Sequence, residues 1–216
     1  MHRPESADYL GVHSSTYRKA IGYLGFFLPL VLAMGALILF QTGIQSSISD
    51  YYHTKMGDMF VGALWAIAFG LFAYRGYQPT GKDRLSDNAV ANLGCFFAIG
   101  VALVPTTPEW SLPQFVHLGF AALFFFVLIY FCLCLFPKTD QNVFQIKKNR
   151  RNMLYKVCGR IMMVCILLIG IYFLLPENVE ERLEPCAPVF VFETIAVMCF
   201  GVSWLVKAEA ISLIRD

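Results

Sequence analysis

Charge is scarce in this sequence. Asp, Glu, Lys and Arg make up 15% of its 216 residues, where soluble domains carry about a quarter, and that shortage excludes water as the main solvent of the folded chain. The signatures of familiar soluble chemistry are missing too. There is no CxxC pair, no HExxH motif, no GxSxG elbow and no Gly-rich phosphate loop. No internal repeat appears, and no pair of Gly/Pro-broken apolar segments occupies corresponding places in two halves, which argues against an inverted-repeat transporter.

The seven cysteines do not supply a framework either. Cys95, Cys132, Cys134, Cys158, Cys165 and Cys199 all fall in apolar stretches, and only Cys186 sits at an edge. Cys132 and Cys134 are two apart, so on a helix they point in different directions. They read as small apolar filler.

What is abundant is apolar residues, 57% of the chain, gathered in uninterrupted blocks of about 20, the length a helix needs to cross about 30 Å of hydrocarbon. The blocks predict an all-α bundle of six transmembrane helices in a single domain, at roughly 21–41, 56–74, 89–106, 115–136, 155–175 and 187–206. The first block is longer than the apolar core of a secretion signal and lacks a small-residue cleavage site, so it is expected to be retained. Pro137, Pro176, Pro185 and Pro188 bracket helix ends, and Pro29 inside the first block predicts a kink. Short connections predict that sequential helices are antiparallel neighbours. Ala66 with Gly70, and Ala98 with Ala102, are small pairs that permit close helix approach or self-association.

Basic residues near helix ends stay cytoplasmic. Arg3, Arg18 and Lys19 precede the first block, Arg75, Lys82 and Arg84 follow the second, and Lys138, Lys147, Lys148, Arg150, Arg151 and Lys156 follow the fourth. Lys207 and Arg215 end the chain on that same side, leaving only Lys55 and Arg182 opposite, beside Glu177, Glu180, Glu181 and Glu184. Both termini are therefore expected in the cytoplasm. The basic 138–156 loop is read as contacting anionic lipid headgroups or a cytoplasmic partner, with Lys147, Lys148, Arg150, Arg151 and Arg160 as the contacts, and not as binding nucleic acid.

Ionisable groups inside apolar spans are expensive, and each marks a candidate site. Asp58 begins the second span, His117 the fourth, and Glu193 lies about 9 Å into the sixth. Ser49, Asp50 and His53 directly precede Asp58. If 49–58 is helical, Ser49 and His53 share a face and Asp50 orients the ring. Two histidines with carboxylates suit a Zn²⁺ centre: His53, Asp58 and His117 as ligands, Ser49 and Glu193 assisting as oxyanion donor or acid/base. The structural alternative has Ser49 and Asp50 capping the second helix, with Tyr51, Tyr52 and His53 as interfacial rings. At the cytoplasmic end, Arg160 is expected to pair with Glu209 or Asp87.

The stretches SISDYYHTKMGDMFVGALWAIAFGLFAYRGY (47–77), FAIGVALVPTT (97–107) and GVSWLVKAEA (201–210) resemble a group of uncharacterised bacterial polytopic proteins, which implies an inner-membrane location. Ser49 and His53 also form a Ser-x3-His pair similar to that of the alkaline ceramidase and progestin/adipoQ receptor superfamily. That similarity implies an intramembrane zinc site hydrolysing lipid amides or esters. This chain departs from the pattern: six spans against seven, apolar Leu64 and Trp65 where the superfamily places an Asp, and no His-x3-His in the last span.

Three function classes stay open. One is a metal-dependent hydrolase acting on outer-leaflet lipid, and a second is a transporter or channel, proton-linked through Asp58 and Glu193. The third is a non-catalytic protein binding lipid, a partner or a second copy of itself.

Overall fold

A computed structural model describes residues 6–76, 86–107, 111–138 and 145–209, with side chains from 15 onward and, in the last stretch, from 149 onward. Among these residues the chain is all-α. Helix α1 (Ser6–Met34) continues through Pro29 into a π-helical turn at Gly35–Leu39. After a 3₁₀ turn (Ser49–His53) come α2 (Gly57–Ala73), α3 (Asp87–Leu103) and α4 (Leu112–Tyr130), the last extended by a second π turn at Phe131–Leu135. The chain continues as α5 (Gln145–Tyr172), the short α6 (Glu177–Leu183), a 3₁₀ turn at Glu184–Cys186, and α7 (Pro188–Lys207).

Four stretches are long and apolar enough to cross a membrane: Ser15–Leu39, Leu112–Leu135, Asn149–Tyr172 and Pro188–Lys207. The expected second and third spans fall on α2 and α3, apolar helices of 17 residues each. Their ends are chemically marked. Ser86 Oγ accepts the Ala89 N–H at 3.1 Å and caps α3, and proline opens α4 and α7, where a missing N–H is harmless. Two boundaries differ from the expectation. The basic 145–151 stretch is the start of α5 and not a loop, and the segment after α5 folds into α6. Straight-chain Lys, Arg, Gln and Glu are good helix formers, but counting apolar blocks does not register helices that continue outside the hydrocarbon.

The helices form a ring in which α5 packs on α7, α7 on α1, α1 on α2, α2 on α3 and α3 on α4. The ring closes weakly, because α4 and α5, sequential though they are, meet less extensively than the other neighbours, partly along α4 and partly at the Phe131–Leu135 turn, where Gly159 abuts Leu133 and Cys132. Helices α1 and α7 approach backbone to backbone. A Cβ on Gly201 would fall on the Phe26 backbone and the Gly22 carbonyl, and Gly22 and Gly25 face Leu205 and Phe200 in turn. Of the expected small-residue pairs, Ala98 and Ala102 are buried in α3, whereas Ala66 is exposed and only Gly70 packs inward, on Ile21.

Below the centre, Trp204 is fully buried among Tyr74, Phe131, Phe136 and Phe200, with ring centroids 5.0–6.1 Å away. Such offset and edge-on aromatic packing closes the bundle at the end where Arg18 lies over Tyr74 and Lys207 over Phe136. Cys132 donates to Ser203 Oγ at 3.1 Å in the same region. Arg151, and not Arg160, reaches Glu209, at 3.5 Å. Arg160 is exposed on α5, and Asp87 is buried at the start of α3. An ion pair with one partner half-exposed contributes little to stability. Arg150 is exposed, while the side chains of Lys147 and Lys148 lie outside the described residues.

Candidate functional site

The segment between α1 and α2 builds one wall of the site. It does not run as a continuous helix from 49 to 58. A 3₁₀ turn ends at His53, Thr54 is extended, and α2 starts at Gly57. Local hydrogen bonds explain the break: Thr54 Oγ1 donates to the Tyr51 carbonyl at 2.8 Å and accepts the Met56 N–H at 3.0 Å. Ser47, not Ser49 or Asp50, serves as the local cap, accepting the Asp50 N–H at 3.0 Å. With three residues per turn, positions 49 and 53 no longer share a face.

Two features pin this segment inside the bundle. Ile48 and Tyr51 are buried plugs, Tyr51 lying 6.0 Å from the Phe190 ring. From α7, the Phe190 N–H donates to the Ser46 carbonyl at 2.9 Å, and Glu193 Oε2 accepts the Ile48 N–H at 2.6 Å. Glu193 therefore has a structural task as well as a chemical one, satisfying a backbone donor that would otherwise be costly in apolar surroundings. Gly57 lets the segment fold back, since a Cβ there would land on the Tyr52 carbonyl. Gly57→Ala is expected to destabilise by about 1–3 kcal/mol, the range for overpacking, and to speed hydrogen exchange at Ile48. Unchanged exchange at that amide would show that Gly57 does not hold the segment.

The two histidines brace the α3–α4 connection. His53 Nε2 donates to the Thr106 carbonyl at 2.7 Å and His117 Nδ1 to the Val104 carbonyl at 2.6 Å. A carbonyl oxygen only accepts, so each contacting nitrogen carries the proton, and the tautomers follow. His117 is buried and keeps its Nε2 lone pair free of that bond, whereas His53 is exposed.

Between α4 and α5, under α6 and beside the 46–50 segment, lies a partly open cavity of about 510 Å³. Ser49, Asp50, Thr106, Gln114, His117 and Glu193 form its polar end, and Leu118, Ala121, Ala122 and Phe125 of α4, with Ile166, Ile169 and Gly170 of α5 and Phe173 just past its end, line its walls. A smaller, mostly apolar void of about 50 Å³ touches Ser49 and Glu193 as well and runs toward Phe200. Of the expected site residues, Ser49, His117 and Glu193 converge on the larger cavity. His53 and Asp58 do not line it, and Asp58 is exposed in the first turn of α2. The expected zinc ligands His53, Asp58 and His117 do not share that cavity, and among the described residues no three His, Cys, Asp or Glu side chains are placed to hold a metal ion.

Thr106, Gln114, the α6 glutamates and Glu184 were not singled out as site residues by sequence reasoning, and Asp50 only as a group orienting the His53 ring. For α6 a signal exists: 177, 180, 181 and 184 follow the i, i+3, i+4, i+7 spacing of one helix face. A family model described as Protein of unknown function (DUF998) matches residues 20–208. The chain belongs to that family. The matched stretch of this family member contains every residue of the cavity lining. No curated protein and no solved structure matches the chain.

Proposed function

We propose that this is a six-span membrane protein with both ends in the cytoplasm, and that it takes up one lipid-like amphiphile from the outer leaflet between α4 and α5. The observation that carries the reading is the two-part cavity. Its volume is within the range of small-molecule sites, about 300–1,000 Å³, and its apolar walls lead to a polar end at Ser49, His117 and Glu193. The weak closure of the helix ring at α4 and α5 supplies the lateral route for a tail. From His117 to Phe125 the α4 wall runs about 12 Å, enough for part of an acyl chain. The distribution of Lys and Arg supports the orientation that puts this end outside. Helices α2 and α3 reach the lower limit of spanning length. The resemblance to bacterial polytopic proteins supports an inner-membrane location.

Filling the walls tests the proposal. In Ala122→Trp protein in nanodiscs, native mass spectrometry is expected to find bound lipid reduced at least tenfold relative to wild type, with unchanged thermal stability. Equal occupancy in wild type and variant would overturn it.

A hydrolytic step is favoured as a second reading by one observation, the His117 tautomer. With Nδ1–H held by Val104, Nε2 is available as a general base for Ser49 or for a water at the polar end. Release of fatty acid from outer-leaflet lipid in proteoliposomes tests it, and wild-type protein that releases none overturns it.

A further inference from the structure

Helix α5 packs on α7 with one side and leaves the opposite side open. Met153, Lys156, Arg160, Val164, Leu167 and Ile171 recur at three- and four-residue steps along that open side, and all six are exposed. Its apolar members are each more than half accessible, which is how a helix faces hydrocarbon in a spanning bundle. Two cations interrupt this lipid-facing stripe.

Their depth is what demands a partner. Arg160 lies near the middle of the 24-residue apolar stretch Asn149–Tyr172, about 16 Å along the axis from Asn149. The packing at the end of the bundle gives a second measure. Lys207, the last residue of α7, holds Nζ 5.5 Å from the Phe136 ring centroid, and that ring packs at 5.2 Å on Tyr155 of α5. Tyr155 therefore marks the level of the terminal cations, Lys156 stands beside it, and Arg160 lies about 7 Å farther in. A guanidinium on a lipid-facing surface at that depth is costly unless an anion meets it. Among the described residues no acidic side chain pairs with Lys156 or Arg160, and the ion pair at this end joins Arg151 to Glu209.

We infer that Lys156 and Arg160 form a binding site for an anionic phospholipid in the leaflet at the Lys207 end, the cytoplasmic one in the orientation proposed above. Residues four apart on a helix have Cβ atoms about 5–6 Å from each other, so one phosphate can accept from both cations, the guanidinium fork taking two of its oxygens. Both side chains lay their apolar stems along the helix and turn their charges toward the membrane edge. The anion reaches Arg160 past Lys156 from that edge, as a headgroup does, and its acyl chains follow the stripe along Val164 and Leu167. From Lys156 to Leu167 the stripe runs about 16 Å, close to the hydrocarbon depth of one leaflet, half of about 30 Å. The site lies apart from the cavity, which α5 lines with Ile166, Ile169 and Gly170, so the two readings stand or fall separately.

Phosphatidylglycerol and phosphatidylcholine carrying the same diazirine acyl chain provide the test, each added in trace amount to nanodiscs of unlabelled phosphatidylcholine that hold one full-length protein. Labelling of the 157–172 stretch of α5 by the anionic probe is expected to exceed labelling by the zwitterionic probe at least fivefold. Lys156→Gln with Arg160→Gln should bring that ratio below two while zwitterionic labelling stays constant, which also reports that the helix face is intact. Arg182→Gln, which removes a positive charge from α6, should leave the ratio at its wild-type value. Equal labelling by the two probes in wild type overturns the inference, and so does a ratio that survives loss of both cations. A ratio that falls equally in Arg182→Gln assigns the preference to net charge and overturns it as well. No label on the stretch from either probe means that protein and not lipid covers the stripe, which also overturns it.

Discussion

Exchange of Gly201 for leucine should be the most damaging single change in the bundle, lowering stability by about 3 kcal/mol, the upper end of the usual overpacking range. The reason is what a side chain there would meet. At most of the tight glycines the obstacle is a side chain able to turn aside, as at Gly35, where Met56 stands in the way. At Gly201 the obstacles are the Phe26 backbone and the Gly22 carbonyl, so α1 and α7 must separate as whole helices. That would loosen the packing around Leu205 and Phe200 on both sides of the contact, in a medium where close packing is a main attraction between helices. Gly62, which has nothing within 4 Å of an added Cβ, supplies the control. Gly62→Leu should unfold in mixed detergent micelles like wild type, while Gly201→Leu should unfold at much lower denaturing-detergent fraction. Equal unfolding of the two variants would mean that the α1–α7 contact does not hold the bundle.

This contact also marks the limit of what the sequence conveys. The apolar blocks are legible because hydrocarbon thickness imposes a length, and all six fall on helices of the structure, four of them with spanning length and composition. Which helices touch is not legible, because lipid-facing and buried positions are equally apolar. Phe69 and Leu71 look alike in the sequence, yet one is exposed and the other fully buried. Small residues at four-residue spacing pointed to Ala66 with Gly70, while the backbone-to-backbone seam uses Gly22 and Gly25 of one helix against Gly201 of another, a pairing that no single-helix spacing displays.

The candidate site was legible in part for the same physical reason. Ser49, His117 and Glu193 stood out as polar groups near or inside apolar blocks, and these are the ones that share the cavity. His53 and Asp58 stood out equally, but their placement depended on helical phase through 49–58. Thr54 breaks that phase with its own hydroxyl. Thr106 gave no warning, being an ordinary residue after a helix end. What distinguishes it is an absent partner, a property of the folded chain alone.

Replacing His117 by asparagine should separate the two jobs that ring performs. An asparagine amide nitrogen stands near the place of Nδ1 and can still donate to the Val104 carbonyl, but nothing replaces the Nε2 lone pair on the cavity side. His117→Asn is therefore expected to keep wild-type thermal stability to within about 1 kcal/mol, the net worth of one hydrogen bond, and to retain bound amphiphile. Fatty-acid release in proteoliposomes should fall about 10²-fold or more, as when a general base is removed. His117→Ala removes the brace as well, leaving the Val104 carbonyl without its ring donor, and should lose a further 1–3 kcal/mol or so of stability. Stability alone does not test the chemistry, because both variants probe the same connection between α3 and α4. The decisive comparison is His117→Asn against wild type at equal stability. If release persists undiminished, His117 is only a brace for the turn that carries Thr106, and the polar end of the cavity binds without reacting.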